Sequence, residues 1–284
     1  MSIAGGMDRA VDRARAVGAT ALQVFVKSAR QWAMRPLRHG DIAAFRDAAA
    51  EAGLQRHLLA HATYLINLAS PRNDLWARSI DALAAEVDRC AELGIPRLVV
   101  HPGSHGGTGS DTGIARVARA LDRVHVSRPA ATARRRRAVR VLLEITAGQG
   151  NTLGSTFEEL AGVLDRARCA DLLGVCFDTC HALAAGYEFR DARSFRATFR
   201  ELDRVIGLER VEAFHLNDSK YPLGSRRDRH EHIGRGEVGL EAFRLLLNDR
   251  RFRRLPMVLE TPKGEDLEED RVNLDVLRAM LGGS

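Results

Sequence analysis

Short apolar runs that each stop on an imidazole or a carboxylate recur along this chain and constrain its fold more than any other feature. They read LVV-His101, VLL-Glu144, GVCF-Asp178, EAF-His215 and MVL-Glu260, and His61 closes RHLLA in the same way. His181 follows Asp178 by three residues, and Asp228 and His230 form a D-x-H further on. Buried strands that finish on polar groups describe a parallel β/α protein. Its polar residues collect at the carboxyl edge of the sheet, the rim where barrels of this type keep their sites. Imidazole nitrogen and carboxylate oxygen, without thiolate, suit zinc or another first-row metal. Nine such side chains exceed what one tetrahedral ion uses and match a small cluster.

Strands are expected near 20–26, 56–61, 97–101, 139–144, 173–178, 211–216 and 256–260, with helical patterns between them. Met7, Val11, Ala14 and Val17 share one face of a first helix ended by Gly18. Asp41 is expected to cap the next helix and Gly53 to end it, and a third runs from Asp74 to Leu93 before Gly94 and Pro96. Ser155 with Glu158 reads as a capping box ahead of LAGVLDRA. Neither linker, repeat nor composition break divides the 284 residues, so one α/β-barrel domain over 1–284 is expected.

The strands number seven, and the chain opens on a helix preceded only by Ser2 to Gly6. An eight-stranded barrel needs a strand ahead of that helix. The expected architecture is therefore a TIM (β/α)8-type barrel lacking its first N-terminal strand, with a seam between the strands near 20–26 and 256–260. Unpaired ladder groups there are expected to weaken the chain, and one more strand ahead of Met1 to strengthen it.

With 45% hydrophobic and 28% charged residues the composition is that of an ordinary soluble protein, and no apolar stretch is long enough to cross a bilayer. MSIAGGMDRAVDRARAVG lacks the basic and apolar regions of a secretory signal, and Cys90, Cys169, Cys176 and Cys180 show no zinc-knuckle spacing. A cytoplasmic protein is expected, with no membrane contact. The net charge of +6 is compatible with a polyanionic partner without establishing one. The run Arg134 to Arg137 reads as a solvated loop before the strand ending in Glu144.

Taken singly, a histidine at a strand end is more often a hydrogen-bonded core residue than a ligand, and an aspartate there is often a helix cap. The set differs, because buried carboxylates without partners are costly and cations offset them. Asp178 and His181 sit one turn apart and can face neighbouring ions. Asp228 and His230, at i and i+2, project to one side of an extended loop. Cys176 and Cys180 read as small core residues. His105 and His232 lie close enough to the rim to touch a substrate.

The stretches GVCFDTCHALAAGY, HLNDSKYPLGSRRDRHEHIGRGEVG and VLETPKG, with HATYLINLASP, VVHPGSH and LLEITAGQG, resemble the signatures of the endonuclease IV family of apurinic/apyrimidinic endonucleases. The resemblance runs from Ser2 to the C-terminus. It implies a TIM barrel with three zinc ions, manganese being a possible substitute. His61 and His101 would bind the first, and Glu144 would bridge it to the second, completed by Asp178, His215 and Glu260. His181, Asp228 and His230 would hold the third. The implied reaction is hydrolysis of the phosphodiester 5′ to an abasic site in double-stranded DNA, leaving a 3′-hydroxyl and a 5′-deoxyribose phosphate. Glu144 and Glu260 would be its catalytic carboxylates. A deoxyribonuclease IV-type enzyme of base excision repair is implied, acting as a monomer without an obligate protein partner.

Arg30, Gln31 and Trp32 resemble the family's loop that enters the duplex, and Tyr64 and Leu65 its second insertion point; core or rim packing is the plainer reading of both aromatics. Two departures stand out. Met1 replaces the end of a strand that the family carries before SIAGG, and Ile145 stands where many relatives have a polar residue. Two other activities stay open: a metal-dependent sugar isomerase or epimerase on the same barrel, and a DNA-lesion binder without turnover.

Overall fold

The computed structural model describes residues 1–126 and 139–282. The run Arg134 to Arg137 lies outside the described residues. The strands are β1 (Leu22–Phe25), β2 (Leu58–His61), β3 (Arg97–Val100), β4 (Arg140–Glu144), β5 (Leu173–Asp178), β6 (Val211–His215), β7 (Asp218–Ser219), β8 (His230–Glu231) and β9 (Met257–Val258). The helices are α1 (Met7–Ala16), α2 (His39–Glu51), α3 (Asn73–Leu93), α4 (Ser110–Val126), α5 (Phe157–Arg166), α6 (Thr179–Ala185), α7 (Ala192–Val205), α8 (Leu240–Leu247) and α9 (Glu268–Ala279).

Seven strands pair in parallel in the order β1-β2-β3-β4-β5-β6-β9, and β7 and β8 form a separate antiparallel pair. This is a TIM-type barrel short of one strand. Among the described residues β1 pairs only with β2, and β9 only with β6. The segments that lead into the two free edges, Gly18 to Ala21 and Leu255 to Met257, line a cavity of about 460 Å³ together with Leu274 and Leu277 of α9. Few bonds cross this seam. Arg278 of α9 donates to the carbonyls of Val17 (3.0 Å) and Gly18 (2.7 Å), and the Gln23 amide donates to Glu260 Oε1 (2.6 Å), while the Met1 nitrogen binds β1 alone, at Gln23 O (2.6 Å).

Several local expectations shift. Strand β9 holds two residues and stops short of Glu260, because Glu260 N donates to the Asn217 side chain in place of a ladder partner. Strand β2 starts only at Leu58, after a 3₁₀ turn at Gln55–His57. Arg38 occupies the N-cap of α2, and Asp41 sits three positions inside, its carboxylate accepting the Arg38 N–H. At α5 the cap is Thr156, which accepts from Glu159 N; Ser155 and Glu158 are each one residue off. Gly94 ends α3 in the left-handed region, φ 73°, where a Cβ would be strained.

The interior contains an inner ring of Leu59, Val99, Leu142, Cys176, Ala213 and Val258, with Ala21 packed against it. Strands β2 to β6 and β9 contribute one member each, and Ala21 immediately precedes β1. Side chains alternate along a strand, so the residue two positions on faces the same way. Those residues are His61, His101, Glu144, Asp178, His215 and Glu260, with Gln23 beyond Ala21. The apolar ring is thus the floor beneath the polar rim.

Candidate metal centre

Glu144 lies at the middle of the rim with no exposed surface. Its Oε2 is 3.1 Å from His61 Nε2 and 2.9 Å from His101 Nε2, while its Oε1 is 2.8 Å from His215 Nδ1 and 3.4 Å from His181 Nδ1. One carboxylate therefore faces two clusters. Among the described residues, three groups have ligand atoms close enough to hold a metal ion: His61, His101 and Glu144; Glu144, Asp178, His215 and Glu260; and Asp178, His181 and His230. The first two share Glu144, and the last two share Asp178.

Asp228 stands beside the third group, its Oδ1 3.2 Å from His181 Nε2 and 3.4 Å from His230 Nε2. Those two ring nitrogens are buried yet make no hydrogen bond of acceptable geometry. Buried imidazole nitrogens left without a hydrogen bond amid carboxylates are what a divalent cation satisfies. Burial alone would push Glu144 up, but the neighbouring His215 and His101 hold its carboxyl well below the usual range. Burial alone would push His181 down, but Asp178, Asp228 and Glu144 hold it well above the ordinary value. Cys176 lies in the floor, where burial pushes its thiol up to about 12, so no thiolate competes for metal.

The hairpin bearing Asp228 and His230 is fixed by a residue the sequence reading passed over. Asp218, fully buried, accepts four backbone N–H bonds, from Ser219, Gly234, Gly236 and Val238, at 2.8 to 3.1 Å. A Cβ on Gly236 would stand 2.4 Å from Ser219 O and 2.6 Å from Asp218 Oδ1, so only glycine fits there. Asn217 is a second such residue. Its side chain donates to Asp178 Oδ2 (2.6 Å) and accepts from Glu260 N (2.8 Å).

The family model described as xylose isomerase-like TIM barrel matches residues 11–280. A Chloroflexus aggregans protein named probable endonuclease 4 is 50% identical over 281 residues, covering 99% of this chain and 96% of that protein. The chain belongs to the endonuclease IV family. The crystal structure of endonuclease IV from Thermus thermophilus is similar with a TM-score of 0.83 and 40% identity, over 99% of this chain and 96% of that one. A D-tagatose 3-epimerase-like protein shares the fold at TM-score 0.69 with 16% identity, over 95% of this chain and 92% of that one.

Around this endonuclease IV rim, the remaining candidates fall on two loops. Tyr64 is 62% exposed, and its ring lies 5.3 Å from that of His61 and 6.3 Å from that of His101. Leu65 beside it is half-buried. Arg30 and Gln31 are exposed, and Trp32 is half-buried under the Arg78 guanidinium, 4.4 Å from its ring centre. The loops are tied together from below. The buried pair Lys27–Glu86 (3.3 Å) holds Trp32 O through Lys27 (3.1 Å) and Thr63 N through Glu86 (3.2 Å), and Thr63 Oγ1 donates to Ala29 O. His105 and His232 have structural partners: His105 Nδ1 accepts from Gly109 N, and His232 Nδ1 contacts the Asn273 amide.

The sequence reading also passed over Gln23, whose amide lies between His215 Nε2 (2.9 Å) and Glu260 Oε1 (2.6 Å). The signal was available: Gln23 follows Ala21 by two, as each candidate ligand at a strand end follows its floor residue.

Proposed function

We propose that this chain hydrolyses the phosphodiester 5′ to an abasic site in duplex DNA, as a monomeric, cytoplasmic enzyme of base excision repair. The observation that carries this reading is the run of three adjoining ligand groups that share Glu144 and Asp178. It stands on a chain half-identical to a protein named probable endonuclease 4. His61 and His101 with Glu144 would hold one zinc, Glu144, Asp178, His215 and Glu260 a second, and His181, Asp228 and His230 a third; manganese fits the same oxygen and nitrogen donors.

Zinc held there would neutralise the phosphate, make hydroxide accessible near neutral pH and stabilise the departing alkoxide. Glu144, engaged through both oxygens, sets the spacing of the first two groups. Glu260 is placed to orient the attacking oxygen. That oxygen bonds to phosphorus, the P–O3′ bond breaks, and the 3′ oxygen takes up a proton. The dry floor formed by Leu59, Val99 and Leu142 strengthens every charge interaction above it. Tyr64 and Leu65, with Arg30, Gln31 and Trp32, stand where a duplex would meet the rim. An apolar or planar wedge there can replace stacking lost when the abasic nucleotide leaves the helix.

A nicking assay on an abasic duplex, with undamaged duplex as control, tests the reading. Zinc-loaded protein is expected to nick only the abasic strand and to contain about three equivalents of metal. Tight binding without nicking would replace the reading with a lesion binder, and turnover of a ketose or aldose with an epimerase.

A further inference from the structure

Four rim imidazoles each have one nitrogen tied to an acceptor outside the cluster and the other aimed into it. For three of them the acceptor is backbone: His61 Nδ1 meets Ala62 O at 2.7 Å, His181 Nδ1 meets Ile145 O at 2.9 Å, and His230 Nδ1 meets Glu260 O at 3.1 Å. A carbonyl only accepts, so these nitrogens carry protons, and Nε2 is the nitrogen left to face a metal. The His181 contact uses the Ile145 backbone, so the apolar side chain at position 145 leaves it intact.

His215 is turned the other way. Its Nε2 meets the Gln23 side-chain oxygen at 2.9 Å, and its Nδ1 faces Glu144 (2.8 Å), Glu260 (3.2 Å) and Asp178 (3.7 Å). The far end of the amide settles which of its atoms faces the ring. Gln23 Nε2 lies 2.6 Å from Glu260 Oε1, and a carboxylate oxygen accepts. The amide nitrogen therefore donates to Glu260, and the amide oxygen accepts from His215 Nε2–H.

We propose that Gln23 is a positioning residue of the metal centre. It fixes the His215 proton on Nε2, leaves the Nδ1 lone pair for the metal, and holds Glu260 in place from across the seam. This rests on the metal reading above. The tie matters because no backbone bond joins β1 to β9 among the described residues. A side-chain amide does for His215 what main-chain carbonyls do for His61, His181 and His230. Hydrogen-bond partners behind metal ligands fix ring orientation and basicity, and removing one lowers metal affinity by roughly 10- to 100-fold.

Gln23→Met keeps the side-chain length and loses both hydrogen bonds. Zinc-loaded wild type and variant would be compared by release to a chelator and by ¹⁵N NMR of the imidazole rings. The wild type is expected to show a His215 Nε2–H protected from exchange. The variant should lose that protection and release the ion bound by His215 about 10- to 100-fold faster, with the remaining metal released at the wild-type rate. Equal release, or equal protection, would overturn the proposal. Should Gln23→Met fail to fold, Gln23→Glu serves, since it keeps an acceptor for Nε2: the protected proton should persist, and its loss would count against the proposal. A wild type that takes up no zinc removes the metal reading itself, whereas one that loads normally beside an unchanged Gln23→Met removes this inference alone.

Discussion

On the closed side of the barrel, Glu144, Asp178 and His215 end strands of five or six residues that are paired on both flanks. At the seam, Glu260 stands two residues past the floor residue of a two-residue strand paired on one flank only. Both sides deliver a candidate ligand to the same rim. The closed side places it with a backbone ladder, which tolerates most side-chain changes. The seam side places it with side chains: Asn217 on the Glu260 N–H, Gln23 on its carboxylate, and Arg278 holding Val17 and Gly18. Geometry built from side chains is exposed to single substitutions.

The largest test of this contrast compares the two carboxylates. Glu144→Gln is expected to lose metal from two groups together and to lower nicking by on the order of 10⁴-fold or more, while Glu260→Gln keeps much of its metal and loses about 10³-fold. Metal analysis beside kcat separates the two, and near-native cleavage by Glu260→Gln would remove that residue from the chemistry. The floor offers a smaller contrast. Leu142→Ala, fully buried between paired strands, should cost about 2–5 kcal/mol, whereas Val258→Ala at the seam, smaller and 7% exposed, should cost about 1 kcal/mol. Equal losses in chemical denaturation would mean the seam is packed as tightly as the closed wall. Smallest of all, Arg278→Ala removes two partly exposed bonds and should lower Tm by only about 2–4 °C, with the nicking rate unchanged.

Much of the rim was legible in the sequence because two periodicities coincide there. A strand that ends on a polar residue, with an apolar residue two positions earlier, states both its direction and its inward face. His61, Glu144, Asp178 and His215 follow from that alone. Glu260 was found by the same pattern, although its strand stops two residues sooner, since Asn217 supplies the partner the ladder does not. Gln23 obeys the rule too, but it was missed because an amide is not a ligand type and β1 continues past it to Phe25. The Asp218 hub and the β7–β8 hairpin could not be read locally. They depend on Gly234, Gly236 and Val238 returning to Asp218 across 16 to 20 residues, which no local period encodes. Helix starts slipped by one to three residues: at α5 Thr156 takes the cap from its neighbour Ser155, and α2 and α3 start behind Arg38 and Arg72, which make no side-chain cap bond.

The four N–H bonds gathered by Asp218 bear on how the site fills. They shape the hairpin that carries Asp228 and His230 without using any of the nine candidate ligands. The hairpin's ordering entropy is therefore met when the chain folds, and an arriving ion has no loop left to arrange. The third group would then act as a socket and not as a clasp: an ion leaving or entering it would find the hairpin already folded.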